Sequence, residues 1–75
     1  MSTLRRLTAV IEREGEGYVA LCPEFDIASP GVTVEEARAN LTEALTLFLE
    51  DADPSEVERR YQPDVFITQV EVPVG

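Results

Sequence analysis

The stretch ASPGVTVEEARANLTEAL, from Ala28 to Leu45, decides how the whole chain is read. Pro30 and Gly31 break whatever precedes them, and Thr33 then stands three residues before Glu36. That is the capping-box spacing. The Thr oxygen accepts from the amide three residues on, and the Glu reaches back to the Thr amide. Glu35 and Glu36 add negative charge where the helix dipole favours it. Val34, Ala37, Leu41, Ala44, Leu45, Phe48 and Ala52 recur every three or four residues, which makes one apolar stripe. Leu47 and Leu49 widen the stripe on its flanks. The reading is an amphipathic helix of about five turns, stopped between Asp51 and Pro54.

Upstream, LRRLTAVIER (Leu4 to Arg13) alternates Leu7, Ala9 and Ile11 against Thr8, Val10 and Glu12, which is strand periodicity. EGEG (Glu14 to Gly17) supplies a tight turn, and YVALC (Tyr18 to Cys22) resumes the apolar character, so the pair predicts an antiparallel hairpin. Pro23 ends it, because proline has no amide hydrogen to give. Ile27 to Ser29 predicts a short third strand. Downstream, PSEVERR (Pro54 to Arg60) predicts an extra helical turn. VFITQVEV (Val65 to Val72) alternates Phe66, Thr68, Val70 and Val72 against Val65, Ile67, Gln69 and Glu71, and predicts a last strand at a sheet edge. The expected fold is α+β, in the order β-β-β-α-β, a small antiparallel sheet with one main helix packed on it.

Seventy-five residues make one domain, expected to span 1–75. A chain this short buries only about 60% of its unfolded surface, so a deep cleft with its own walls does not fit. The net charge of −9 is wrong for nucleic acid, whose phosphates are neutralised by Lys and Arg, and for anionic membranes. It suits a basic partner, or simply solubility. The chain has no histidine and a single cysteine, Cys22. That removes the common neutral-pH base, Cys/His and Ser/His pairs, and cysteine-rich metal sites. All six basic residues are arginines, so no phosphate-loop lysine exists. Glu12, Glu14 and Glu16 alternate out of the hairpin end and read as a solvated rim; Glu24 and Asp26 flank Phe25 in a loop. No catalytic residue, cofactor site or metal site is expected. An apolar run of transmembrane length and a signal-peptide pattern are both lacking, so a soluble cytoplasmic protein is the expectation.

The order and spacing of these signals resemble the HicB family of antitoxins. The resemblance runs from Leu7 to Glu50. It rests on Pro23-Glu24-Phe25 after the hairpin, then Gly31, Thr33, Glu35, Glu36, Ala37, Asn40, Leu41, Glu43 and Ala44. It implies a partial ribonuclease-H-like fold that has lost the nuclease acids. It also implies a protein that binds and masks a small basic mRNA-cleaving toxin of the HicA type. Many members add a C-terminal DNA-binding segment, which is not expected here. The sequence also departs from the family in having Asp26-Ile27-Ala28 where many members carry a Pro-Gly-Cys-like turn. Glu24, Phe25 and Asp26 are the candidate partner contacts, since a loop beside a rigid sheet can present them. A homo-dimer or homo-tetramer is also expected, with Tyr18, Leu47, Phe66 and Val70 as candidate interface residues. The alternative expectation is an orphan structural or regulatory homo-oligomer of the same fold without a toxin.

Overall fold

A computed structural model describes residues 5–75. Strands β1 (Val10–Glu14), β2 (Gly17–Cys22) and β3 (Ile27–Gly31) form an antiparallel sheet in the order β1-β2-β3. Helix α1 (Val34–Asp51) packs on one face, and the short helix α2 (Pro54–Arg60) follows it. The architecture is α+β, as the periodicities predict.

Local sequence explains each junction. Gly15 and Glu16 bridge the Glu14↔Gly17 pair, with φ of +61° at Gly15. A positive φ at the first of two loop residues is the type II′ hairpin pattern, which glycine adopts without steric cost. The Glu36 amide donates to Thr33 Oγ1 at 3.0 Å, and Glu36 Oε1 accepts from the Val32 amide at 2.8 Å. The capping box therefore forms, with its glutamate reaching one residue further back than the common pattern. Val32 is 70% exposed, so no hydrophobic staple closes over Ala37.

The expected first strand begins later than its alternation suggests. Leu4 lies outside the described residues, and residues 5–9 carry no strand pairing. The ladder pairs Val10 with Leu21, so its next rungs would bring Thr8 opposite Pro23. Proline has no amide to offer there. The Thr8 amide turns instead to the carboxylate of Glu24.

The core comprises Ala20, Cys22, Phe25, Ala37, Leu41 and Leu45. Cross-strand partners share a face. Ile11, Ala20 and Ser29 therefore point towards α1, as do Cys22 and Ile27, while Val10, Leu21 and Ala28 point away, as do Glu12, Val19 and Pro30. α1 lies mainly over β3 and β2 and barely touches β1. Its first turn sits against β3 so closely that a Cβ at Gly31 would fall 2.3 Å from the Ala37 nitrogen.

The expected last strand does not form. Residues 61–75 carry no secondary structure, and Phe66, Ile67, Val70, Val72 and Val74 are 64–91% exposed. A strand needs a partner edge, and this segment takes neither edge of its own sheet. The β3 edge is blunted, because Pro30 lacks an amide hydrogen and its carbonyl already accepts from Asn40 Nδ2 at 2.8 Å. Among the described residues, no strand pairs with the outer edge of β1. The segment runs outward, so the molecule measures 53 × 28 × 19 Å.

Candidate functional site

Residues 23–26 turn the chain from β2 into β3, and the sequence reading placed three partner contacts there. The structure corrects two of them. Phe25 is 1% exposed and Glu24 8%, so neither side chain is presented to a partner. Phe25 is drawn inward by aromatic neighbours: its ring centroid lies 5.5 Å from that of Phe48 and 5.3 Å from that of Tyr61. Such tilted pairs are favourable beyond the area they bury. Asp26 alone of the three is exposed. Its φ is +56°, a left-handed conformation that aspartate tolerates better than most side chains.

Glu24 is held from three sides. The Thr8 amide donates to both carboxylate oxygens at 3.1 Å, and Thr8 Oγ1 donates at 2.6 Å. The Cys22 thiol donates at 3.4 Å. Burial pushes the Glu24 pKa upward, but the hydrogen bonds from Thr8, from its own amide and from Cys22 outweigh it, and the net shift is downward. Burial, reinforced by the neighbouring carboxylate, pushes the Cys22 thiol up. A carboxylate made less basic beside a thiol made less acidic is the wrong polarity for a nucleophile and its base. The pair fastens the start of β1 to the β2–β3 turn. No buried side-chain N or O among the described residues lacks a partner.

The same turn anchors the C-terminal region. Arg60 Nη2 donates to the Phe25 carbonyl at 3.0 Å, with its guanidinium 4.8 Å from the Phe48 ring centroid. The Gln62 amide donates to the Glu24 carbonyl at 2.8 Å. Sequence reasoning missed Thr8, Arg60 and Gln62. Their partners lie far along the chain, and no local pattern marks them.

Among the described residues, no helix or strand packs over two surfaces. The first is the sheet face opposite α1. Half-buried Val10, Val19 and Leu21 with exposed Ala28 and Pro30 form its apolar centre, and Glu12 and Glu14 of β1 share that face and are exposed. The second is the exposed C-terminal segment with Phe66 and Val70. Of the other candidate interface residues, Leu47 is 52% exposed, while Tyr18 is half-buried beneath Arg13, whose Nη2 donates to the Tyr18 hydroxyl at 3.0 Å. Among the described residues, no group of three or more His, Cys, Asp or Glu is placed to hold a metal ion, and no helix is long and apolar enough to cross a membrane.

The chain is similar to UPF0150 protein ssl0738 of Synechocystis sp. (strain ATCC 27184 / PCC 6803 / Kazusa), with 49% identity over 47 residues. The matched region is 60% of this chain and 65% of that relative, so the match spans just under two thirds of the relative's length. No family model and no solved structure matches the chain.

Proposed function

We propose that this protein is a HicB-like antitoxin domain, which binds a small basic toxin of the HicA type through the open face of its sheet. The observation that carries the reading is that face: an apolar centre of Val10, Val19, Leu21 and Ala28 with Glu12 and Glu14 on its hairpin side. A desolvated apolar centre with charge at its margin is how protein interfaces divide the work. The net charge of −9 supports a basic partner, and the order of motifs from Pro23 to Ala44 supports the HicB resemblance. The protein acts by masking and not by catalysis. It lacks histidine and lysine, and its buried carboxylate is engaged by Thr8.

The test is co-expression with the product of the adjacent gene, followed by titration of the two purified proteins at low and high salt. Association with a small basic protein, weakening as salt rises, supports the reading. The absence of a neighbouring basic protein, or failure to associate at low salt, overturns it. Incubation of the pure chain with RNA and Mg²⁺ or Mn²⁺ should leave the RNA intact.

The exposed C-terminal segment favours a second reading, a homo-oligomer of this fold that has no toxin. A stable oligomer together with no partner from the neighbouring gene would select it.

A further inference from the structure

We propose that the C-terminal segment, Val65 to Val74, is a strand that adds to the β1 edge of a second copy of this chain, reciprocally, in a closed dimer. The inference does not depend on the toxin reading, because it concerns a different edge of the molecule.

The segment has the side-chain pattern of a strand without a strand's partner. Phe66, Thr68, Val70, Val72 and Val74 fall on one side of an extended chain, and Val65, Ile67, Gln69, Glu71 and Pro73 on the other. Phe66, Val70, Val72 and Val74 are 69–91% exposed. Contiguous exposed apolar patches are uncommon on monomers and mark interaction sites, and these four side chains share one side of the segment. The segment also stands away from its own body. The radius of gyration is 14.6 Å, against about 11 Å for a compact chain of this length.

The receiving site has a matching shape. Among the described residues β1 pairs only with β2, which leaves its outer amides and carbonyls to another strand. Because α1 leans towards β3, a groove of about 580 Å³ opens between α1 and the residues leading into β1. Leu7, Ala9, Leu41, Leu45 and Leu49 line it. A strand laid along β1 with its even-numbered side chains inward would seat Phe66 and the valines there and leave Val65, Ile67, Gln69 and Glu71 on the opposite side. Arg5, Arg38 and Glu50 also line this groove, and the incoming segment carries no base and a single acid, Glu71.

The occupant is a second copy because the segment already emerges from the anchored Gln62 and leads outward. Two such arms exchanged about a two-fold axis satisfy both β1 edges at once and leave no open end.

The experiment uses the full chain in two parts. Light scattering at micromolar concentration should give twice the 8.3 kDa chain mass. The double variant F66D/V70D should raise the dimer dissociation constant about 100-fold while leaving helix content unchanged. On the unaltered protein, NMR of a mixture of isotope-labelled and unlabelled chains should show contacts between Val70 or Val72 methyls of one copy and Leu45 methyls of the other. A monomeric wild type overturns the proposal. So does a dimer that survives F66D/V70D, a dimer that A28R on the open sheet face disrupts instead, or Val70–Leu45 contacts found only within one chain.

Discussion

Thr8 and Glu24, sixteen residues apart, are joined by three hydrogen bonds at 2.6–3.1 Å. The contact replaces the rung that Pro23 cannot make and closes the end of the sheet remote from the hairpin. It also sets a pH dependence. The folded-state pKa of Glu24 lies below its ordinary value of 4.5, so its contribution to stability is fully present above that value. The contribution is lost as pH falls through the lower folded-state value. Replacing Glu24 with Gln should cost about 1.5–3 kcal/mol near neutrality, because an amide cannot accept from all these donors. The gap between wild type and E24Q should narrow as the medium is acidified below about 4.5. Thermal unfolding of both at several pH values checks this. A gap that widened in acid would contradict the assignment.

Cys22 is predicted to be inert in the folded protein. It is 0% exposed, and burial beside a carboxylate disfavours its thiolate. A thiol reagent should label it only as fast as the protein opens, and denaturant should accelerate labelling steeply. Labelling in native buffer at the rate of a free thiol would show that the β2–β3 turn opens readily.

Gly31 is predicted to be irreplaceable for a steric reason. Its added Cβ would meet the Ala37 nitrogen at 2.3 Å and Ala37 Cα at 2.6 Å, and both are backbone atoms that a rotamer change cannot move. G31A should destabilise the fold by roughly 3 kcal/mol, the upper end for overpacking. By contrast, T33A removes one capping bond and should cost about 1 kcal/mol without any other effect on partner binding. Urea unfolding ranks the two. A neutral G31A would mean that α1 can pull away from β3 freely.

What was legible in the sequence followed the range of the interaction. The Thr33–Glu36 cap, the Gly15 turn and the stripe through Ala37, Leu41 and Leu45 involve neighbours within a few residues, and their spacing is visible in the letters. The fastening of Glu24 was not, since nothing near Glu24 points back to Thr8. Phe25 was misread as surface because it sits between two acids in a turn. Its partners, Phe48 and Tyr61, lie 23 and 36 positions on, and they pull the ring into the core. Residues 65–72 show how far periodicity goes. Alternation tells which side chains share a face, but it does not name the strand alongside.

Asp26 gives a local test of the turn. Its φ of +56° is one that glycine adopts without penalty and a β-branched residue does not. D26G should leave folded-state strain no worse, whereas D26V should cost about 1–3 kcal/mol. Equal stability of the two would show that the turn relaxes away from the left-handed conformation.

The open sheet face yields the last prediction. Ala28 is exposed on β3 and shares that face with Leu21 and Val10, while Glu12 lies opposite Val19 on the same face. Neither Ala28 nor Glu12 belongs to the core, so A28R and E12K should both fold, with helix content unchanged. If a basic toxin covers this face, A28R places a like charge and a long side chain at its centre. The affinity should fall on the order of 100-fold, mostly through faster dissociation. E12K acts at the margin and should mainly slow association at low salt, with the difference vanishing as salt is raised. Stopped-flow mixing with the toxin at two salt concentrations separates the two effects. Full affinity in A28R would place the toxin elsewhere on the molecule, and an E12K defect that persisted at high salt would move Glu12 from the margin into the buried centre.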